Sequence, residues 1–165
     1  MARRYWKISA GDESKHWQSF IRDSLIAFGT WDEADLNQYA NRDELKGRII
    51  AYSLRNRGKS SNSYVELWNF YVAAKEGDFV VLYRKKGIVA CGEIIGPYEY
   101  KPKNKYDGGA YYHTKRMKWT KVFTPPMTGI SDGLILRLSK PPDTFHEIRD
   151  ETCIAEILRL CSCQN

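Results

Sequence analysis

"DFVVLYRKKGIVACGEIIGPYEY", Asp78–Tyr100, is the stretch where the chain changes its period. Before it, apolar residues recur at helical spacing. Within it they run continuously or alternate, and Arg84–Lys86 with Gly87 divide the run into "DFVVLYR" and "GIVACGEIIGPYEY". Short apolar runs rich in Val, Ile and Tyr and bounded by turn residues predict strands. Pro97 ends or bulges the second, because proline has no N–H to give to a ladder. Downstream, "RMKWTKVF" (116–123) and "GLILRLS" (133–139) predict two further strands.

Working outward toward the N-terminus, "RRYWKISA" alternates Tyr5, Lys7 and Ser9 with Trp6, Ile8 and Ala10, the pattern of a first strand. Ser14 offers an N-cap to a helix whose apolar positions are Trp17, Phe20, Ile21, Leu25 and Phe28. Asn41 caps a second helix with a Leu45, Ile49, Tyr52 stripe and basic residues toward its C-terminus, which suits the helix dipole. After the loop "GKSSNS", Tyr64, Val65, Trp68, Tyr71 and Val72 mark a third helix ending near Glu76-Gly77. Beyond Pro141-Pro142, "FHEIRDETCIAEILRLC" predicts a last helix.

The order β-ααα-ββββ-α predicts an α+β domain whose strands, about five to six, curl into a small open barrel flanked by helices. The 165 residues suffice for one domain, 1–165, and carry no repeat and no low-complexity segment. A hydrophobic content of 42% beside 28% charged residues is that of a folding chain rather than a disordered one.

Charge is unevenly placed. Residues 84–121 hold ten Lys and Arg against three acids, whereas residues 141–165 hold two Arg against five acids. A positive face of that kind favours polyanions. The four cysteines lack a secreted framework's spacing, so free thiols in the cytoplasm are expected. Cys161 and Cys163 have no second Cys or His pair near them, and no metal or other cofactor is expected. No apolar run is long enough to span a bilayer, and the N-terminal residues lack a signal peptide's apolar core.

Catalytic motifs fail on spacing. "GKSS" at Gly58–Ser61 lacks the earlier glycine of a phosphate-binding loop, that position being Ser53 inside a helical pattern. His16, His113 and His146 share no acid or thiol at ligand spacing, and Asp32, Glu33 and Asp35 read as solvating, helix-capping acids. No enzyme is therefore expected. A metal-dependent nuclease and a protein-docking groove rank below nucleic-acid binding, the latter because it leaves the lysines without a role.

"IAFGTWDEADL", Ile26–Leu36, poses the remaining question: a large apolar Trp31 beside three acids either closes a core or lines a pocket. "YWKISAG", Trp17, "IAFGTWDEADL", "LWNFYVAAKEGDFVVLY", "GEIIGPYEY" and "YYHTKRMKWTKV", in that order, resemble the PUA-like superfamily, specifically EVE and YTH-like domains. They also resemble the N-terminal DNA-binding domains of McrB-type modification-dependent restriction proteins. The resemblance covers about residues 3–125.

It implies a non-catalytic reader that flips a modified base, N6-methyladenine or a C5-modified cytosine, into an aromatic pocket; the alternative is an RNA-binding PUA or YTH-like module. By resemblance, Trp31 stacks on the base, Ser9 lies near the pocket floor, and Trp17 belongs to the same set. The opposite wall falls in Tyr98–Tyr112, where the family's tryptophan is replaced by tyrosines, with Tyr98, Tyr100, Tyr106 and Tyr112 as candidates. Lys101, Lys103, Lys105, Lys115, Arg116 and Lys118 are then expected to hold flanking phosphates, which position a ligand without specifying it. Arg84, Lys85 and Lys86 are a possible extension of that patch. The McrB-type resemblance further implies an AAA+ GTPase motor in cis, reached through the helix in 141–165, and a nuclease subunit as partner. Trp6, Trp68 and Trp119 are expected in the core.

Overall fold

The computed structural model describes residues 2–10, 15–29, 34–55, 63–106, 109–139 and 144–162. Strand β1 (Tyr5–Ile8) pairs in parallel with β3 (Phe79–Arg84) and antiparallel with β8 (Phe145–Glu147). The rest of the sheet is antiparallel: β3 with β4 (Gly87–Tyr100), β4 with β7 (His113–Met127), and β7 with β2 (Leu25–Phe28). The result is a six-stranded sheet in the order β2-β7-β4-β3-β1-β8, plus a two-stranded ribbon of β5 (Lys105–Tyr106) and β6 (Gly109–Ala110). Helices cover both faces of this curled sheet, the α+β architecture expected.

One face packs Trp6, Ile8, Ile26, Val80, Leu82 and Ile94 against α1 (Trp17–Arg22), α2 (Arg42–Arg55) and α3 (Ser63–Trp68). Trp6 stacks on Phe145 at 5.0 Å and donates from Nε1 to Asp78 at 2.9 Å, so its predicted core position holds. Trp68 and Trp119 pack half-buried against the same core, Trp119 donating to the Phe20 carbonyl at 3.1 Å. The other face packs Val81, Tyr83, Ile88 and Phe123 against α4 (Asp132–Leu138) and α5 (Glu151–Ser162). Burying a Leu, Ile or Phe side chain contributes about 1.5–3 kcal/mol, so these two layers hold the sheet.

Several elements depart from expectation. The first helix stops at Arg22; Ser24, with φ of 51°, turns the chain, and Leu25–Phe28 is a strand. All four of its residues are buried, and a strand covered on both faces needs a continuous apolar run rather than an alternating one. Its apolar positions mimic helical spacing only because Phe20 and Ile21 precede them. Ser14 lies outside the described residues, and His16 occupies the N-cap without a side-chain capping bond.

"GLILRLS" is a helix, not a strand. Ser131 Oγ accepts from Leu134 N–H at 3.2 Å, Leu134 and Leu138 are buried one turn apart, and Leu136 is 74% exposed. The cap and the i, i+4 spacing override the local apolar run. "FHEIRD" opens with β8, because Phe145–Glu147 completes the edge beside β1, and α5 begins after Asp150, whose Oδ1 accepts from Cys153 N–H at 3.1 Å.

The third helix does not run unbroken to Glu76: α3 passes at Asn69–Ala73 into a π-helical turn. Asn41 does cap α2, its Oδ1 accepting from the N–H groups of Asp43 and Glu44 at 3.0 Å each. β4 is irregular between Ile94 and Tyr98, where Pro97 sits. The expectation of four free thiols is also corrected: Cys91 on β4 and Cys161 in the last turn of α5 form a disulfide, because the sheet face that holds Cys91 is the one α5 covers. Cys153 is free and buried.

Candidate nucleic-acid interface

Trp31 itself lies outside the described residues, but both ends of the segment that carries it are anchored at one place. On the incoming side, Phe28 pairs with His113 across β2 and β7. On the outgoing side, Asp35 and Leu36 meet Tyr98 of β4: the Leu36 N–H donates to the Tyr98 hydroxyl at 3.2 Å, and that hydroxyl donates to Asp35 Oδ1 at 3.3 Å. His113 Nδ1 lies 2.8 Å from the same oxygen. A phenol has one hydrogen and can accept two, so all these groups are satisfied together when His113 carries its proton on Nδ1. Burial raises the Tyr98 pKa, and the carboxylate of Asp35 raises it further, so the hydroxyl stays a donor.

Around this junction runs a chain of aromatic contacts. Tyr71 meets Tyr98 edge to face at 4.9 Å, Tyr98 stacks with His113 at 5.9 Å, His113 meets Tyr100 at 5.8 Å, and Tyr100 meets Tyr112 at 6.0 Å. Tyr71 belongs to the π-helical turn, and its hydroxyl donates to Asn37 Oδ1 at 3.2 Å. Tyr71, Tyr98 and Pro97 wall a cleft of about 330 Å³ that Asn37, Lys75 and Lys115 also line. Offset or edge-on aromatic pairs and an open apolar wall suit a planar ring.

Lys115 is not an exposed phosphate contact. It is 3% exposed, and its Nζ donates to the carbonyls of Ala74 at 2.8 Å and Tyr71 at 3.5 Å. It thus caps the C-terminal end of the π-helical turn, where carbonyls lack helical partners and the dipole favours a cation. Burial lowers its pKa to about 8, against a partial rise from Asp78. Asp78 is itself buried and accepts from Arg4 N–H, Lys75 N–H and Trp6 Nε1 at 2.9 to 3.0 Å. Lys115 is buried because β2 flanks β7 here and the π-helical turn lies over its side chain.

The tyrosines of the β4–β7 connection divide into two groups. Tyr106 is buried: its ring packs against His16, Phe20 and Tyr111, and its hydroxyl donates to Asp23 at 3.1 Å. Tyr106 and Tyr111 therefore fasten the connection onto α1, away from Tyr98, and burial with the Asp23 charge pushes the Tyr106 pKa up to about 12. Tyr112 is buried beneath Tyr100, which is half-buried. Of the remaining candidates, Trp17 packs half-buried on the inner core, and Ser9 follows β1 with its N–H on the Thr144 carbonyl at 2.9 Å.

Lys103, Lys105, Arg116 and Lys118 are exposed, and Lys101 is half-buried. Lys101 and Arg116 share Glu99, at 3.1 and 3.4 Å. Arg84, Lys85 and Lys86 lie at the β3–β4 hairpin, at the far end of β4 from Tyr98, roughly 35 Å along the strand. They do not extend the patch. Tyr71, Asn37 and His113 are the site residues that sequence reasoning missed. Tyr71 was legible only as part of a helical apolar stripe, and His113 only as a lone histidine.

Residues 6–131 match the model of a family described as Domain of unknown function (DUF8426). The chain belongs to the DUF8426 family. No curated protein matches this DUF8426 member. Among solved structures, it is similar to a hypothetical protein from Leishmania major, with a TM-score of 0.50 and 14% identity over 97% of this chain and 95% of that one. That likeness is one of fold.

Two further similarities fall just below it. The YTH domain of Zygosaccharomyces rouxii MRB1 protein, in complex with N6-methyladenosine RNA, gives a TM-score of 0.49 at 10% identity, over 99% of this chain and 89% of that one. The Mmi1 YTH domain gives 0.49 at 11% identity, over 98% and 79%. Among the described residues no three His, Cys, Asp or Glu side chains converge as metal ligands, and no helix is long and apolar enough to cross a membrane.

Proposed function

We propose that this DUF8426 domain is a non-catalytic nucleic-acid reader that holds one unstacked base between Trp31 and the Tyr71–Tyr98 wall. The observation that carries the reading is the junction at Tyr98, whose hydroxyl gathers Asp35, Leu36 N–H and His113 at the two roots of the Trp31 segment. A base taken from its stack loses a few kcal/mol, which aromatic faces return. Lys101, Lys103, Lys105, Arg116 and Lys118 supply the phosphate contacts, with Glu99 orienting two of them.

The finer reading, carried by the McrB-type resemblance, is a modified base in DNA, with a motor and nuclease acting beyond this domain. The RNA reading differs only in contacts to the 2′-hydroxyl. One polarisation assay separates them: a short oligonucleotide as DNA and as RNA, unmodified or carrying N6-methyladenine, 5-methylcytosine or 5-hydroxymethylcytosine. A preference near tenfold, about 1.4 kcal/mol, for one modified form supports the reader and names its ligand. Equal binding to every form sinks the modified-base reading, and no binding sinks the nucleic-acid reading.

A further inference from the structure

A cavity of about 760 Å³ lies away from the lysine-rich connection. It opens where β1 begins, between the turn before β3 and the turn from β8 into α5, and Arg3, Arg4 and Arg149 line it. It is not isolated. Lys75 and Glu76, both exposed, line this cavity and also the cleft beside Tyr98, so the two depressions meet along one ridge.

The three guanidiniums are held in ion pairs that are open to solvent. Arg3 lies 3.0 Å from Glu93, and Arg4 and Arg149 share Glu147 at 3.8 and 2.6 Å. Their side chains are 44%, 50% and 82% exposed. The Arg3–Glu93 pair is exposed at both partners and contributes little, so turning that guanidinium to a phosphate costs little, whereas Glu147, only 18% exposed, stays in place beneath Arg4 and Arg149. Two arginines on one carboxylate also leave a cation in excess, and a planar guanidinium matches phosphate oxygens in pairs. Glu76 is the one exposed acid on the ridge between the two depressions.

Building on the reader function proposed above, we infer that a single-stranded nucleic acid continues from the Tyr98 cleft over the Lys75–Glu76 ridge into the arginine-lined cavity. Arg3, Arg4 and Arg149 are then backbone contacts for the nucleotides that flank the held base on that side. Because Glu76 lies under the path, its charge works against binding and keeps the unoccupied groove from retaining polyanions in general. The lysine-rich connection serves the other flank.

The test measures binding of a dinucleotide and of an octanucleotide single strand, each in the same modified form, to the whole chain. Wild type binds the octanucleotide more tightly. Replacing Arg3, Arg4 and Arg149 together by Gln weakens the octanucleotide by about tenfold and lowers its salt slope by about two, while the dinucleotide is unchanged. Glu76→Gln, whose side chain borders both depressions, tightens the octanucleotide by a larger factor than the dinucleotide. An octanucleotide affinity and salt slope indifferent to both changes overturn the path while leaving the base site intact. Wild type that binds neither length overturns the reader function and the path together. Unchanged thermal melting of the variants confirms that the folded chain is being compared.

Discussion

The Tyr98 hydroxyl lies 2.8 Å from His113 Nδ1 and at the same time accepts the Leu36 N–H, so one oxygen joins β4, β7 and the outgoing end of the Trp31 segment. Three elements distant in sequence meet at a single atom. Tyr98→Phe keeps the ring and removes that atom, leaving the Leu36 N–H and His113 without it. The expected loss is about 1–3 kcal/mol in urea unfolding. Oligonucleotide binding is expected to weaken as well, since the segment loses its anchor. A variant as stable as wild type would show that the junction contributes nothing.

Trp31→Ala is expected to weaken oligonucleotide binding by about 1–3 kcal/mol, the range for one base stacked on an aromatic side chain. The salt slope should not change, because no phosphate contact is lost. Polarisation titrations at several salt concentrations read both quantities, and undiminished affinity would remove Trp31 from the site.

Lys115 carries a pH signature. Its folded pKa is lowered by burial to about 8, from the 10.5 of an ordinary lysine. Between those values the unfolded chain binds more protons than the folded one, so this group adds stability as pH rises through that window. The slope is at most about 1.4 kcal/mol per pH unit. Lys115→Met should abolish that rise, which unfolding curves from pH 7 to 10 would show. Parallel curves for the two proteins would mean that the ammonium is solvated.

Gly92 is required by contact rather than by backbone angle. A Cβ there would lie 2.8 Å from the Trp119 Cα, at the irregularity between Cys91 and Gly92 where β4 crosses β7. Backbone cannot move aside as a flexible side chain can. Gly92→Ala is expected to cost about 1–3 kcal/mol or more, read as a lowered melting temperature.

The β3–β4 hairpin turns through Lys85 and Lys86 with φ of 43° and 66°. Left-handed backbone costs a non-glycine residue about 1–2 kcal/mol. Lys86→Gly should recover part of this and raise the melting temperature, without affecting oligonucleotide binding because the turn lies far from Tyr98. A lower melting temperature would refute the strained-turn assignment.

The strands around Asp78–Tyr100 were legible because their signal is local: apolar runs, a basic turn and Pro97. Asn41 was legible for the same reason, since a cap is read within four residues. Leu25–Phe28 and Asp132–Leu138 were misread because three or four apolar residues in a row fit either a doubly covered strand or a short capped helix. Which form they take depends on what lies above and below them. Of the site, the tyrosines and the exposed cations could be named, but not sorted.

By itself, then, the sequence determined the α+β class, the strand pair at the centre of the sheet, the capped second helix and the concentration of cations in residues 84–121. Only the tertiary structure decided that Tyr106 fastens a connection to α1 while Tyr98 gathers the roots of the Trp31 segment, and that Lys115 is a buried cap on the π-helical turn. The reason is physical. Periodicity and capping act over one or two turns of chain, whereas the role of a hydroxyl or an ammonium is set by whichever acceptors folding brings within about 3 Å.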